Sequence, residues 1–238
     1  MASPLSRGKL SAQLTDEGRK PTRGYFFIQG VTMENNNLVI SIARGYGSGG
    51  LTLAKKLGKE LNLPVYDREI LRMASDQSGI SEEMFGQVDE HIRKIFLKAK
   101  GKYKGKPLTP EDSAFTSDDN LFELQADVIR QIADTQSCII VGRCADFILK
   151  DKPNVLSLFF YASEEDCLIR LRKQVSGTDE ELIKRMHDID KHRAEYYKYY
   201  TGRDWNDARN YDFCLDTGVM EYDKLIEVVK SYIEIKNK

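Results

Sequence analysis

Four glycines within six positions, Gly45, Gly47, Gly49 and Gly50, stand between an apolar run, Leu38-Val39-Ile40-Ser41-Ile42-Ala43, and a helix-patterned run from Leu51 to Leu61. A glycine-rich turn between a buried strand and a helix lets successive backbone N–H groups converge on an anion, and the positive end of the helix dipole adds to the attraction. Glycine takes positive φ there and lets a phosphate approach the backbone with no Cβ in the way. So dense a run also carries an entropy cost that a plain turn has no reason to bear. The chemistry implied is phosphate binding by the amides of Gly45, Gly47, Ser48, Gly49, Gly50, Leu51 and Thr52, with the Ser48 and Thr52 hydroxyls available to a divalent metal ion.

One expected part is absent. The pattern G-x-x-x-x-G-K-[ST] carries a lysine before its hydroxyl residue, and two registers fit. Spacing alone runs from Gly45 to Gly50 and puts Leu51 where the lysine belongs. Matching the helix sets Gly47-Ser48-Gly49-Gly50-Leu51-Thr52-Leu53-Ala54 against G-S-G-K-G-T-L-A, a run of nucleoside monophosphate kinases that it resembles without a gap. Gly50 then replaces the lysine and Thr52 keeps its hydroxyl. Removing one preorganised charge from a transition state typically costs about 3 kcal/mol, roughly a hundredfold or more in rate. Arg44, just ahead of the loop, and Arg193 or Arg203 are the candidate replacement cations. Arginine offers bidentate phosphate contacts but does not enter such a loop as a compact ammonium does.

The elements that position these residues alternate. Leu53, Ala54, Leu57 and Leu61 mark one face of the first helix, which Asn62-Leu63-Pro64 ends. Val65-Tyr66 forms a short second strand running into Asp67, with a helix through Ile70, Leu71, Met73 and Ala74; Ser81 caps another reaching about Lys98. A helix from Asn120 leads into Cys138-Ile139-Ile140-Val141-Gly142, an apolar run suited to a central parallel strand, with Arg143 directly after it. Further strands are expected at 154–161 and 211–215, and helices after Ser163, from Asp179 to about Tyr200, and from Tyr222 to Ile235. This predicts an α/β fold with a central parallel sheet covered by helices on both faces, with ligands at the carboxyl ends of the strands.

With 238 residues, one α/β domain of about 200 residues plus an N-terminal extension is the simplest count. Residues 1–36 are expected to be a disordered or tag-like extension, with Tyr25-Phe26-Phe27-Ile28 able to add an edge strand, and 37–238 the domain. Net charge is −1 at 31% charged residues, so no global field draws the chain to nucleic acid or an anionic membrane. Mean hydropathy is −0.49 and no apolar run reaches the ~18 residues of a spanning helix. Cys138, Cys144, Cys167 and Cys214 form no C-x-x-C pair, and 1–24 lacks an apolar leader segment, so reduced thiols in a cytoplasmic protein are expected. The basic stretch Lys98 to Lys106 and the polar segment after it, to about 119, are expected to be a mobile loop.

From about Asn37 to Lys236 the chain resembles the cytidylate kinase-like family, a branch of the P-loop nucleoside monophosphate kinases. Ile40 to Gly50 is similar to the family's opening I-S-R-E-Y-G-S-G-G, which also lacks the lysine, and Leu63-Pro64-Val65-Tyr66-Asp67 and Ile140-Val141-Gly142-Arg143 resemble its second and third strand segments. Arg185 to Arg193, Arg193-Ala194-Glu195-Tyr196-Tyr197, Trp205 and Tyr211-Asp212-Phe213 resemble its lid and last strand. The resemblance implies a P-loop three-layer fold with a helical lid at about 179–209, and ATP with Mg²⁺ as donor and metal. It implies that Arg143 holds an acceptor monophosphate, that Asp67 and Arg72 adjoin it, and that Asp190 and Arg193 form the lid's D-x-x-R clamp, with Arg203 and Arg209 as further lid candidates. The aspartate expected after Arg143 is Cys144 here, which weakens the case for cytosine. The implied activity is transfer of the ATP γ-phosphoryl group to a (d)CMP-like acceptor, with Arg44, Arg143 and Arg193 as catalytic cations. Two other readings stand beside it: a catalytically silent nucleotide-binding protein with a degenerate loop, and a nucleic-acid binder using Lys98 to Lys106.

Overall fold

A computed structural model of the chain describes residues 27–28, 31–32, 37–91 and 101–236. Strands β1 (Phe27–Ile28) and β2 (Val31–Thr32) pair antiparallel as a sheet of their own. Phe27 and Ile28 are therefore strand residues, but in this hairpin; residues 1–24, expected to be disordered, lie outside the described residues.

The main unit is built on β3 (Val39–Arg44), β4 (Val65–Tyr66), β5 (Cys138–Val141), β6 (Val155–Tyr161) and β7 (Phe213–Asp216). Their order is β4-β5-β3-β6-β7 and every pairing is parallel. Apolar, largely β-branched runs suit strands covered on both faces, and β3 and β5 are buried along almost their whole length. Val39 pairs with Cys138 on one side and Val155 on the other, so β3 lies in the centre.

Helices are α1 (Gly50–Leu61), α2 (Glu69–Ser78), α3 (Glu82–His91), α4 (Asp118–Thr135), α5 (Ala145–Ile148), α6 (Glu164–Leu171), α7 (Asp179–Thr201) and α8 (Tyr222–Lys236). α1 packs on β3, β5 and α8, while α4 packs on β5 and carries α2, α3 and α5. The period-2 alternation of β5 decides which face meets which helix: Cys138 and Ile140 join the α4-side core, whereas Ile139 approaches α1 at Gly58. Caps set the starts. Ser163 accepts from the Asp166 amide, and Thr178 with Glu181 forms a capping box. Ser117 caps α4, which thus begins two residues before Asn120.

Asn120 and Glu123 hold the segment that precedes α4. Both are buried, at 2% and 4% exposure, beneath the backbone that precedes α4. The Asn120 carboxamide accepts from the Leu108 amide at 2.7 Å and donates to the Phe115 carbonyl at 2.7 Å. Glu123 accepts from the amides of Lys104 and Gly105. Lys102 and Tyr103 donate backbone hydrogen bonds to the Tyr199 and Tyr200 carbonyls, tying the segment to α7 as well. Residues 101–117 are thus anchored to two helices; residues 98–100 lie outside the described residues. The α7 tyrosines pack rather than project, with Tyr200 stacked on Phe122 at 3.7 Å between ring centroids.

Glu123→Ala should remove the acceptor of the Lys104 and Gly105 amides, at about 1 kcal/mol for each hydrogen bond lost. The expected outcome is a clear fall in thermal midpoint together with faster hydrogen exchange at Lys104 and Gly105; unchanged exchange there would show that the carboxylate is not the anchor.

Candidate active site

The chain passes from β3 to α1 in five residues, Gly45 to Gly49. Gly47 and Gly49 take φ of 79° and 76°, the left-handed region open to glycine. A Cβ on Gly47 would lie 3.0 Å from the Cys167 Cβ, so the turn also leaves no room for a side chain. Ser48 is fully buried and holds the turn's shape: its hydroxyl donates to the Gly45 carbonyl at 2.8 Å and accepts from the Gly50 amide at 3.2 Å. The Ser48 carbonyl accepts from Arg170 at 3.0 Å and from the Thr217 hydroxyl, so α6 and the end of β7 brace the loop from behind.

Amide bookkeeping shows what the loop has left to offer. Gly45 donates to the Phe160 carbonyl and Ser48 to the Gly45 carbonyl. The Tyr46 amide donates to both carboxylate oxygens of Asp190, at 2.8 and 3.0 Å. The helical ladder of α1 starts with Leu53 to Gly49, so Leu51 and Thr52 lie in the first turn, where no intrahelical acceptor exists. Among the described residues, the amides of Gly47, Gly49, Leu51 and Thr52 have no protein acceptor.

At the carboxyl ends of β3, β4 and β5 lies a cavity of about 770 Å³ whose walls include Arg44, Tyr46, Leu51, Asp67, Arg143 and Arg193. Arg44 stands 3.5 Å from Asp67. Arg193 donates to the Arg44 carbonyl at 2.9 Å and to Asp190 at 3.0 Å, joining α7 to the loop. Burial, and then the Arg193 charge, pull the Arg44 guanidinium down to about 10. Burial also lowers Arg193, against the pull of Asp190. Asp190 is raised by its burial despite Arg193 and the Tyr46 amide. Crowded, buried cations of this kind gain from an arriving anion. An adjoining cavity of about 460 Å³ is lined by Gly45, Ser48 and Asp190 and shares Tyr46 and Trp205 with the first.

Gly142, Arg143 and Cys144 follow one another at φ 79°, 59° and 54°. Left-handed backbone is strained for arginine and cysteine, and the turn closes with the Ala145 amide on the Gly142 carbonyl at 3.1 Å. Arg143 leaves this turn toward the cavity, where Gln125 of α4 accepts from it at 3.5 Å. Asp146 lines the same cavity at 9% exposure and accepts from the Tyr197 hydroxyl at 2.6 Å. Burial pushes its carboxyl up to about 6, against the hydrogen bond from Tyr197.

Of the residues singled out from sequence, Arg44, Leu51, Asp67, Arg143 and Arg193 line the larger cavity and Gly45, Ser48 and Asp190 the adjoining one. Arg72 is not brought there: α2 buries Ile70, Leu71 and Ala74 and leaves Arg72 exposed on its outer side. Arg203 is not either; it follows the left-handed cap at Gly202 and lies over the Phe147 ring at 5.0 Å, beside a different cavity. Arg209 is paired with Asp207. The Ser48 hydroxyl is spent inside the loop, so of the two hydroxyls expected to meet a metal only that of Thr52, exposed in the first turn of α1, faces outward. Gln125, Asp146 and Arg68, the last also on the wall of the larger cavity, were missed. Gln125 carried a signal, a polar residue at a buried position of an apolar helix pattern; Asp146 reads like an ordinary first-turn acid of α5.

A family model, described as the cytidylate kinase-like family, matches residues 39–219. Among solved structures, an uncharacterized protein from Eubacterium ventriosum is similar at 27% identity and TM-score 0.61, covering 83% of this chain and 99% of its own. A shikimate kinase from Bacteroides thetaiotaomicron is 14% identical at TM-score 0.47, covering 83% of this chain and 98% of its own. A gluconokinase from Sinorhizobium meliloti is 11% identical at TM-score 0.45, covering 86% of this chain and 100% of its own. No curated protein matches the chain. Among the described residues no helix is long and apolar enough to cross a membrane, and no group of three or more His, Cys, Asp or Glu is gathered as a metal site.

Two outcomes follow for the site. Asp146 has its pKa raised in the fold, so the folded chain binds more protons than the unfolded one between about pH 4 and 6, and stability falls as pH rises through that window, by about 3 kcal/mol for a shift to about 6. Asp146→Asn should flatten this slope in midpoints measured from pH 4 to 7.5; an identical slope in the variant would assign it to other groups. Arg143→Gly relieves a strained φ and should leave stability unchanged or raise it by about 1 kcal/mol, whereas a loss of more than ~2 kcal/mol in denaturant titration would make Arg143 a structural residue.

Proposed function

Since the chain belongs to the cytidylate kinase-like family, we propose that it is an ATP-dependent nucleoside monophosphate kinase with a (d)CMP-like acceptor. The observation carrying this reading is the amides of Gly47, Gly49, Leu51 and Thr52, which find no acceptor among the described residues, in a loop whose Leu51 lines a cleft walled by Arg44, Arg143 and Arg193.

Phosphoryl transfer asks for two nucleotides held in line and cations around the moving group. In this reading the loop amides hold the donor's β- and γ-phosphates and Arg143 holds the acceptor monophosphate. An oxygen of that monophosphate forms a bond to the γ-phosphorus. The bond from the γ-phosphorus to the β–γ bridging oxygen breaks, and its electron pair leaves with ADP; no oxidation state changes. Mg²⁺ would be held from the protein side at the Thr52 hydroxyl and would supply neutralising charge to the donor phosphates. Arg193 and Asp190, which already touch the loop from α7, let that helix carry a cation to the donor side as it settles. Cys144 is buried beside Arg143 and supplies no carboxylate to a base, so selection of the base falls to other groups on the cavity wall.

Coupled ADP release with CMP, dCMP, UMP, AMP and GMP tests the proposal. Turnover with CMP or dCMP is expected, and Arg143→Ala should raise the acceptor KM by about tenfold or more, the worth of one charged contact, with ATP affinity unchanged. ATP binding without turnover on any acceptor would instead make the chain a silent nucleotide-binding protein, and no ATP binding would end both readings.

A further inference from the structure

We propose that Arg44 is the cation that takes over from the missing loop lysine, and that the two exclude each other: position 50 is glycine because the Arg44 stem fills the space a side chain there would need. The catalytic half of this rests on the kinase reading above; the steric half stands without it.

The gapless register puts Gly50 at the lysine position. A Cβ at Gly50 would lie 2.7 Å from the Arg44 Cβ, 3.3 Å from its Cγ and 3.2 Å from the Phe160 Cβ. Backbone and side-chain stems on neighbouring parallel strands cannot yield as the tip of a flexible side chain would. The Gly50 backbone itself does not call for glycine: it is the first residue of α1 and is not among the residues with positive φ. Space, not conformation, keeps the position bare.

The rest of Arg44 follows a built path. From the end of β3 its guanidinium passes over Gly142, where a Cβ would collide with Nη1, and reaches Asp67 at the end of β4. Its carbonyl is fixed by Arg193. The charge is thus delivered between the loop and the Arg143 turn, where a donor γ-phosphate and an acceptor phosphate would meet, rather than from inside the loop. A guanidinium suits that place, because its planar fork can bridge oxygens of two phosphates. Asp67 becomes a positioning residue, holding Arg44 and not the acceptor.

Two cycles test this. In stability, Gly50→Ala should lower the thermal midpoint of the native chain and lower it far less in an Arg44→Gly background, where only the 3.2 Å approach to the Phe160 Cβ remains and alanine's helix preference offsets it. Equal effects in both backgrounds would overturn the exclusion, whatever the enzyme does. In activity, Arg44→Gly should cut kcat by about a hundredfold, and Arg44→Gly with Gly50→Lys together should regain about tenfold of that loss. Full turnover by Arg44→Gly, or a double variant that is folded and binds ATP yet regains nothing, would refute the replacement. Asp67→Asn should lower kcat with the acceptor KM unchanged; a raised KM alone would return Asp67 to the substrate. Wild-type chain that binds ATP without turnover would sink the kinase reading, and with it the catalytic half, leaving the stability cycle to decide the other.

Discussion

The N–H groups of Gly47, Gly49, Leu51 and Thr52 find no acceptor among the described residues, and they sit where a helix dipole points its positive end. None of the four residues is fully buried, so these groups are open to water or to an anion that displaces it. Much of the surrounding structure serves to keep the turn open. The Ser48 side chain is folded inward onto the loop backbone, Arg170 and Thr217 hold its carbonyl from behind, and the two left-handed glycines let Cys167 and Tyr222 pack against the turn. In the proposed reading, a loop held this way is ready for an anion before any ligand arrives, which is the preorganisation that phosphoryl transfer needs.

The cleft beside it repeats the logic with charge. Arg44 and Arg193 are largely buried near each other, and burial lowers both below the usual arginine range. Asp67 and Asp190 meet part of this cost, and Asp190 does so while also occupying the Tyr46 amide. Two carboxylates thus touch the same loop and arginines that a phosphate would use. In the proposed reading an incoming dianion would compete with them for these donors, and α7 carries both Asp190 and Arg193.

The glycine loop, the buried strands and the alternation that makes the sheet parallel were readable because each is a local pattern. Val39 to Ala43 is apolar but for Ser41, Cys138 to Val141 is apolar throughout, and α1 shows its core face as Leu53, Ala54, Leu57 and Leu61. The site was half readable. Arg44 and Arg143 directly follow strands, so the rule that ligands gather at strand ends locates them. What escaped depends on partners distant in sequence. Glu123 and Asn120 look like ordinary helix-surface residues until the 104–108 backbone folds over them. Asp146 looks like a first-turn acid until Tyr197 covers it. Arg203 and Arg72 failed for the opposite reason: their charge fitted the chemistry, but helix phase and a left-handed cap carry them away from the cleft.

The central claim, that these loop amides are the receptor for a nucleotide's phosphates, is tested most directly by following backbone amide resonances while ATP is titrated into the full chain. Downfield shifts concentrated at Gly47, Gly49, Leu51 and Thr52, reproduced in sense by tripolyphosphate, are the predicted result. ATP binding that leaves those four amides unmoved would contradict the account.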